Sequence, residues 1–374
     1  MVENLIKGIT VIHVKGETNV KIKHLLVLFF AVTVAVAGCA KGQKTEMKQK
    51  TEEEQQTREK AHKLTEDEIK IGDQFTLVNF SSEILENTLT GENEKQELCI
   101  YLPPSYQDSE RSYPVVYYLH GFSESEASFV MNQKKALDKV FTDGAKEFIL
   151  VSINGTTKAG GSFYVNSSVS GNWEDYIIQE VIPTVDLNFR TLADRGSRGL
   201  CGFSMGGFGA VNLSFKHPDI FSSFLVIAPG LFADGGLPSA MESWKNDTGV
   251  LESYAQAFSP DTENKEIYGN IPEMDGTPED EEIVKDWESG YGNIRRKVEE
   301  YLSLGIPLKA MEIIYGDMDT YTWIPEGCEF LSECLADREI EHSLVMIEGS
   351  GHSIPLDIAK TYLVPFFNEN LDYE

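Results

Sequence analysis

A serine between two glycines is the feature of this 374-residue chain most clearly able to do chemistry. It lies in Gly202-x-Ser204-x-Gly206, where an apolar run is followed by a segment with helical periodicity. A nucleophile elbow has this pattern, because the serine occupies a tight strand-to-helix turn in which flanking side chains would collide. Ser204 is therefore predicted to be a nucleophile, although a chain with 31 glycines could also contain the motif by chance.

A serine hydroxyl needs a base to take its proton and a carboxylate to orient that base. Behind such an elbow the partners follow in the order acid, then histidine. Asp319 and Asp317 both follow a predicted strand, and Asp319 is preferred because it lies farther from the strand end. Of the seven histidines, only His352 lies beyond the acid on a glycine-containing loop after a strand. Ser204, Asp319 and His352 are the predicted catalytic residues, with Asp317 as the alternative acid.

An acyl-transfer site also needs N–H groups that stabilise the oxyanion of the tetrahedral intermediate. His120-Gly121-Phe122 directly follows a predicted strand. The backbone N–H groups of Phe122 and Met205 are therefore the expected donors, since one comes from this loop and the other follows the nucleophile. The imidazole of His120 is expected to be structural.

Runs of apolar residues separate these motifs and indicate strands. The predicted strands are residues 75–80, 82–89, 97–102, 114–119, 148–153, 199–203, 223–228, 309–315 and 343–347. Helical patterns lie between most of them, which is typical of an α/β domain with a mostly parallel sheet and helices on both faces. Ligands of such sheets bind at the carboxyl ends of the strands, where the elbow and the predicted loops lie.

Two regions are expected to shape the pocket around Ser204. The glycine-rich segment 159–166 follows a predicted strand, and the insertion 231–305 is long enough to contain helices of its own and to form a cap. Trp244 and Trp287 in the cap could stack on a sugar or an aromatic acyl group, but core packing explains them equally well. The candidate substrate-binding residues are Phe163, Tyr164, Asn166 and Trp323.

The amino-terminal segment does not resemble a folded core. Lys21 and Lys23 precede an apolar run at 25–37, which ends in Val36-Ala-Gly-Cys39. This pattern resembles a bacterial lipoprotein signal, so residues 1–39 are predicted to be a signal segment and Cys39 the lipid-modified membrane anchor. An ordinary cleaved signal and an uncleaved anchor helix are the alternatives. Export to the cell envelope follows from the first interpretation.

Residues 40–70 contain no aromatic residue and are rich in Lys, Glu, Gln and Thr. Such a segment buries too little apolar area to offset its ordering entropy, so it is predicted to be a disordered tether. Residues 71–374 then form the catalytic domain.

Composition excludes several classes of partner and cofactor. The net charge of −28 argues against nucleic acid and anionic lipid, which need clustered basic residues, and favours neutral or cationic substrates. No C-x-x-C or Cys/His ligand spacing is present, so no metal and no cofactor are expected. The acidic segment 273–288 is interpreted as solvated surface because it lacks a calcium-loop spacing. Cys99, Cys201, Cys328 and Cys334 are expected to be free thiols, with a Cys328–Cys334 disulfide as the alternative.

From about residue 75 to 367 the chain resembles the esterase D-like family of the α/β-hydrolase superfamily. That family includes feruloyl and acetylxylan esterases, S-formylglutathione hydrolases, enterochelin esterases and mycolyltransferases. The matching segments are Tyr101-Leu-Pro-Pro-Ser-Tyr106, His120-Gly121-Phe122, Trp173-Glu-Asp-Tyr-Ile177, Ile182-Pro183, Phe189-Arg190, Gly202-Phe-Ser-Met-Gly206, Gly316-x-x-Asp319 and Gly351-His352.

The resemblance implies an α/β-hydrolase fold and supports Asp319 over Asp317, since the family's acid follows glycine in this arrangement. It implies a serine carboxylesterase acting on small or oligosaccharide esters, for example feruloyl or acetyl groups on carbohydrate. An acyltransferase using the same acyl-enzyme, or a surface-binding lipoprotein that has kept the fold without activity, is the alternative.

Overall fold

The computed structural model describes residues 10–11, 61–72 and 75–374. The strands within these ranges are, in chain order, β1 Thr10–Val11, β2 Ile69–Ile71, β3 Thr76–Ser81, β4 Lys95–Tyr101, β5 Val115–Leu119, β6 Ile149–Ile153, β7 Asn166–Ser167, β8 Gly171–Asn172, β9 Arg198–Phe203, β10 Ser223–Ile227, β11 Ala310–Gly316 and β12 Ser343–Ile347. Ten of them form one sheet in the order β1-β12-β11-β10-β9-β5-β6-β4-β3-β2, and β7 pairs with β8 in a separate hairpin.

The centre of the sheet is parallel and its edges are antiparallel. Strands β6, β5, β9, β10, β11 and β12 run parallel to one another. Strands β4, β3 and β2 are antiparallel neighbours at one edge, and β1 pairs antiparallel with β12 at the other. Every residue of β5, β6 and β10 is buried, as expected of parallel strands covered by helices on both faces.

Helices cover the sheet between its strands. They are α1 Glu126–Thr142; α2, which combines Trp173–Asp175, a π-helical stretch Tyr176–Val181 and Ile182–Asn188; α3 Met205–Lys216; α4 Leu237–Trp244; α5 Thr248–Phe258; α6 Pro278–Gly290; α7 Ile294–Ser303; α8 Trp323–Ala336; and α9, which combines a π-helical stretch Ala359–Leu363 with Val364–Asn370. The predicted α/β-hydrolase architecture, a mostly parallel sheet flanked by helices, is confirmed.

The predicted strand at residues 82–89 is wrong. This segment forms turns, because the carboxylate of Glu180 on α2 binds its backbone. One Glu180 oxygen accepts hydrogen bonds from the N–H groups of Glu83 and Ile84 at 2.9 and 3.1 Å, and the other accepts from the Ser82 hydroxyl at 2.5 Å. These N–H groups are no longer free to pair with a neighbouring strand.

The predicted tether ends earlier than residue 70. From residue 61 the chain lies on the domain, where the side chain of Asn188 bonds the N–H of Leu64 at 3.1 Å and the carbonyl of His62 at 2.8 Å. Leu64 is buried, and β2 adds an edge strand to β3. The rest of the predicted tether, Cys39 and most of the predicted signal segment lie outside the described residues.

The insertion at 231–305 contains four helices, which divide into two groups that pack in different places. Helices α4, α5 and α6 pack together through aromatic side chains, such as Trp244 stacked on Tyr254 with ring centroids 4.1 Å apart. Helix α7 instead lies against α3, where Tyr301 stacks on Phe215 at 4.8 Å. Helices α4–α6 therefore remain the candidates for the predicted cap, because α7 packs on α3 instead. None of the helices in the described ranges is both long and apolar enough to cross a membrane.

One carboxylate inside the sheet is expected to make stability depend on pH. Burial, together with the charge of Glu369, raises the pKa of Glu312 on β11 to about 7, and one of its oxygens has no hydrogen-bond partner among the described residues. The unfolded chain loses this proton near its ordinary pKa of 4.5, whereas the folded chain keeps it until about pH 7. The free energy of unfolding should therefore fall across this range, by up to about 3 kcal/mol.

Urea unfolding of wild type and of Glu312→Gln at pH 4.5 and pH 8 tests this expectation, because glutamine removes the titration. The variant should gain stability relative to wild type as the pH rises. Glu369→Gln, which removes only the neighbouring charge, should give a smaller change of the same sign. An equal pH dependence in wild type and Glu312→Gln would show that Glu312 does not titrate in this range.

Candidate active site

Ser204 occupies a strained turn between β9 and α3. Its backbone has φ 52° and ψ −116°, a conformation that residues with a side chain rarely adopt. The turn is held by a hydrogen bond from the Ser204 N–H to the carbonyl of Ile227 at 3.1 Å and by one from the Gly230 N–H to the Ser204 carbonyl at 2.9 Å. The sharp reversal lifts the side chain out of the sheet, and Ser204 is partly exposed although α3 behind it is almost wholly buried.

The two glycines of the motif are required by close backbone contacts. A Cβ at Gly202 would lie 2.1 Å from the carbonyl oxygen of Gly206 across the turn. A Cβ at Gly206 would lie 1.9 Å from the carbonyl oxygen of Leu119, the last residue of β5. Both obstacles are backbone atoms, which cannot rotate away as a side chain can. The spacing of the motif therefore reflects the tight packing of the first turn of α3 on the sheet.

Replacing Gly206 by alanine is expected to lower the free energy of unfolding by about 3 kcal/mol or more, because the new methyl group must displace β5. Urea unfolding measures the loss. Gly249→Ala is the matched control, since its Cβ would have its nearest neighbour at 3.4 Å and should leave stability nearly unchanged. Equal midpoints for Gly206→Ala and wild type would contradict the proposed packing.

The structure brings Ser204, His352 and Asp319 together. The Oγ of Ser204 lies 2.9 Å from Nε2 of His352, and Nδ1 of the same ring lies 2.8 Å from Oδ2 of Asp319. The Asp319 side chain is completely buried, and that of His352 is 16% exposed. A buried carboxylate on Nδ1 favours the tautomer in which Nδ1 carries the proton, so Nε2 faces the serine hydroxyl as an acceptor.

Asp317, the alternative acid, has a different position. It is exposed, and its carboxylate accepts a hydrogen bond from the N–H of Gly349 at 2.6 Å. The N–H of Met318 donates to the carbonyl of Ser350 at 2.9 Å, so the loop after β11 is tied to the loop after β12. A Cβ at Gly316 would lie 2.2 Å from the same Ser350 carbonyl. This glycine therefore allows the histidine loop to pack on the acid loop.

Two aromatic rings hold the imidazole of His352 in place. The ring of Phe203 lies 4.9 Å from it, and that of Tyr321 meets it edge-on at 5.0 Å. The N–H of Tyr321 also donates to Oδ1 of Asp319 at 2.8 Å, so both carboxylate oxygens are engaged. Sequence reasoning missed Tyr321. The feature of the sequence that could have identified Tyr321 is its position two residues after the predicted acid, Asp319.

The expected oxyanion donors occupy positions where an N–H is free. Met205 is the first residue of α3, whose N–H has no carbonyl partner within the helix. Phe122 is the second residue of a turn that is closed by a hydrogen bond from the Glu124 N–H to the Gly121 carbonyl at 3.2 Å. The N–H of the second residue takes no part in closing such a turn. A Cβ at Gly161 would contact the side chains of both Met205 and Phe122, so these two residues are close neighbours.

His120 joins the loops after β5 and β6. Its Nε2 accepts a hydrogen bond from the N–H of Gly155 at 2.9 Å, and its Nδ1 lies 2.8 Å from the carbonyl of Gly121. These partners require the neutral ring with the proton on Nδ1. Burial lowers the pKa of His120, which favours the same state. The imidazole thus supports the loop that carries Phe122.

Three of the four candidate substrate-binding residues, Phe163, Tyr164 and Trp323, are buried. Phe163 is buried among aromatic side chains of the insertion, with Tyr254 at 4.2 Å. Tyr164 is fully buried, and its hydroxyl donates to the carbonyl of His120 at 3.1 Å. Asn166 is exposed and bonds the backbone of Asp175 near the start of α2. In this structure the glycine-rich loop folds into the core, so Phe163 and Tyr164 are not exposed to a substrate, whereas Asn166 is exposed.

Trp323 lies closer to the site but is buried. Its ring packs 5.9 Å from Tyr321, the neighbour of His352, and 5.3 Å from Trp244. Its indole N–H has no hydrogen-bond partner in the described part of the chain. Trp287 is likewise buried, with its N–H on the carbonyl of Asn270 at 3.1 Å. Both tryptophans are therefore core residues in this structure.

The thiols and the potential metal ligands in the described ranges do not form a second reactive site. The cysteines Cys99, Cys201, Cys328 and Cys334 are free and buried. Burial raises the pKa of the Cys99 thiol to about 12 and that of Cys201 above its ordinary value as well, so neither is an activated thiolate. Across residues 61–72 and 75–374, no three His, Cys, Asp or Glu side chains converge to hold a metal ion.

Comparison with known proteins gives a family match. The family described as "Putative esterase" matches residues 91–286, which is more than half of the chain. The endo-1,4-beta-xylanase/feruloyl esterase of Xylanibacter ruminicola is 29% identical over 179 residues, or 46% of this chain and 24% of that protein. Esterase Rv1288 of Mycobacterium tuberculosis is 32% identical over 161 residues, or 43% and 32% of the two chains. The chain thus spans a third or less of the length of these relatives.

Solved structures share the fold over most of the chain. An S-formylglutathione hydrolase from Agrobacterium tumefaciens superposes with a TM-score of 0.52 at 19% identity, covering 81% of this chain and 98% of that one. A ferulic acid esterase from Anaeromyces mucronatus, solved with ferulic acid, gives 0.52 at 17% identity, covering 82% and 96%. At these identities the similarity establishes the fold alone.

Proposed function

This chain belongs to the esterase family that matches more than half of its length, and we propose on that basis that it hydrolyses carboxylic esters with Ser204 as nucleophile. The observation that carries the proposal is the pair of hydrogen bonds that links Ser204 through His352 to the buried Asp319. In this proposal Ser204, His352 and Asp319 act as nucleophile, base and orienting acid.

Each step follows from the positions of these groups. As the Ser204 Oγ attacks the ester carbonyl carbon, His352 Nε2 takes its proton, and the Asp319 carboxylate stabilises the resulting imidazolium. The imidazolium then protonates the departing alcohol oxygen, which leaves an acyl group on Ser204. Water attacks this acyl-enzyme with His352 again as the base, so the acid is released and the serine is restored.

The N–H groups of Met205 and Phe122 would stabilise the negative oxygen of each tetrahedral intermediate. Both amides belong to positions fixed by other contacts, one by the start of α3 and the other by the turn that His120 supports. Donors that are already oriented need no reorganisation during the reaction. Each is expected to contribute roughly 3 to 4 kcal/mol to the transition state.

The proposed substrates are acyl esters of carbohydrates, such as feruloyl or acetyl esters. Support comes from the relative named a feruloyl esterase, from the net charge of −28, which favours neutral substrates, and from Tyr321, whose partly exposed ring lies beside His352. An aromatic face next to the nucleophile can stack on a sugar or a phenolic acyl group.

Hydrolysis of methyl ferulate, feruloylated arabinose and p-nitrophenyl acetate by the purified protein tests this function. We expect all three to be cleaved, with the highest kcat/KM for the arabinose ester, and we expect Ser204→Ala to give the background rate. Absence of cleavage of all three esters would contradict the hydrolase proposal. Cleavage of the methyl ester with a higher kcat/KM than the arabinose ester would contradict only the carbohydrate assignment.

We further propose that Cys39 carries a lipid that anchors the protein in the cell envelope. The support is the apolar run followed by Val36-Ala-Gly-Cys39. Growth of a bacterial host with a labelled fatty acid should label the wild-type protein and leave Cys39→Ala unlabelled. Equal labelling of both would exclude Cys39 as the site.

A further inference from the structure

A cavity of about 490 Å³ lies between α3, α7 and the carboxyl ends of α5 and α6. Its volume is in the range of small-molecule binding sites. Asn212 and Lys216 contribute from α3, and Lys297 and Tyr301 contribute from α7. Asn212 follows Ser204 by eight residues, so it lies roughly 12 Å farther along α3 and the cavity is separate from the hydrolytic site.

The wall of this cavity contains a polar side chain, that of Asn212, which makes no hydrogen bond within the described part of the chain. The residue is only 6% exposed, and its amide makes no hydrogen bond to any part of the chain that the structure describes. The amide faces the cavity, so its hydrogen-bonding groups are available to a molecule bound there. Its apolar surroundings include Phe215 and Phe258, which also line the cavity. This side chain can offer both a donor and an acceptor to a ligand.

Lys297 adds a positive charge that no carboxylate neutralises directly. Its ammonium donates to the carbonyl of Gly290 at 2.6 Å and lies 5.7 Å above the ring of Phe208, with no acidic oxygen in ion-pair contact within the described residues. Burial lowers the pKa of Lys297 to about 8, as expected of a cation without a counter-ion.

The other charged groups around Lys297 are already paired. Glu300 forms an ion pair with Arg296 at 2.6 Å. Glu174 pairs with both Lys216 and His217. With these pairs formed, Lys297 is the cation of the group that has no carboxylate in ion-pair contact within the described residues.

We propose that this cavity binds a small monocarboxylate with an apolar body. One carboxylate oxygen would accept from the ammonium of Lys297 and the other from the amide of Asn212, while the apolar part packs on Phe215, Phe258 and Tyr301. A dianion fits less well, because Glu300 lines the same cavity. This inference does not depend on the proposed hydrolase activity.

Isothermal titration of the full-length protein with trans-cinnamate, and with cinnamyl alcohol as the uncharged match, tests the inference. We expect a cinnamate site in this cavity, in addition to any binding at the hydrolytic site, and its affinity should fall by about tenfold to a hundredfold in Lys297→Met and in Asn212→Leu, since each removes a hydrogen bond to a charged group. Lys297→Arg, which keeps the charge, should retain binding. Cinnamyl alcohol should bind at least about tenfold more weakly.

Lys297→Met and Asn212→Leu should lose this cinnamate binding while they keep the wild-type kcat/KM for p-nitrophenyl acetate, which distinguishes this cavity from the hydrolytic site. Thermal melting checks that each variant folds. If Lys297→Met does not fold, the pH dependence of cinnamate binding to wild type is the second measurement, and affinity should fall as the pH rises past about 8. Any one of four results would overturn the proposal. Wild type does not bind cinnamate at millimolar concentration, or wild type and Lys297→Met bind it with equal affinity. Alternatively, wild type binds cinnamyl alcohol as tightly as cinnamate, or its affinity for cinnamate does not depend on pH.

Discussion

Ser204→Ala is expected to lower kcat for ester hydrolysis by about 10⁴- to 10⁶-fold. The substitution removes the attacking oxygen, and the remaining oxyanion donors can accelerate only a direct attack by water. Steady-state hydrolysis of p-nitrophenyl acetate measures the loss. The fold should survive, because His352 is the hydrogen-bond partner of the Ser204 hydroxyl and the Cβ that the strained turn must accommodate is unchanged.

Ser214→Ala is the matched control. It removes from the same helix a buried hydroxyl that has no hydrogen-bond partner in the part of the chain that the structure describes, and it should leave kcat nearly unchanged. Thermal melting of both variants separates loss of chemistry from loss of fold. Residual activity of Ser204→Ala within tenfold of wild type would mean that another group is the nucleophile.

Asp319→Asn is expected to lower kcat by about 10⁴-fold. Oδ1 of Asp319 accepts from the N–H of Tyr321, so the asparagine carbonyl should keep that bond and turn its NH₂ group toward His352. Nδ1 of His352 would then have to accept a hydrogen bond, which places the ring proton on Nε2. A protonated Nε2 cannot take the proton of Ser204.

Asp317→Asn is the matched comparison within the same loop. Its exposed carboxylate accepts one backbone N–H, from Gly349, and an asparagine carbonyl can accept the same bond. We expect kcat within about threefold of wild type, since surface substitutions of this kind have small effects. A larger loss in Asp317→Asn than in Asp319→Asn would exchange the roles proposed for the two acids.

The sequence was most informative where local patterns report local geometry. The glycine spacing around Ser204 predicted a tight strand-to-helix turn, and the structure shows backbone contacts that only glycine allows there. Asp319 and His352 were expected at the ends of neighbouring strands, and parallel strands bring their carboxyl ends to one edge. Strand order could not be derived from the sequence, yet the order of motifs along the chain was enough to group these residues.

The expectations that failed depended on contacts between distant residues. Residues 82–89 have strand-like composition, but the carboxylate of Glu180, nearly a hundred positions away, binds their backbone. The glycines before Phe163 and Tyr164 predicted a loop open to substrate, whereas aromatic side chains of α5 cover Phe163. Local composition does not show which surface a loop will pack against.

Tyr321 and Asn212 illustrate a second limit. The importance of Tyr321 comes from its ring beside His352 and from its N–H on Asp319, neither of which has a motif. Asn212 is one of three polar residues in a mostly apolar helix, and the cavity beside it is what gives it a ligand-binding role in the proposal. Both residues acquire a role through tertiary structure alone.

Labelling with a fluorophosphonate, followed by peptide mapping with mass spectrometry, tests the central claim most directly. The reagent phosphonylates a serine only when a neighbouring base and oxyanion donors activate it. We predict one adduct per chain, on Ser204, and no adduct in Ser204→Ala. Ester hydrolysis by a protein that carries no adduct on Ser204, or an adduct on a different serine, would contradict the account.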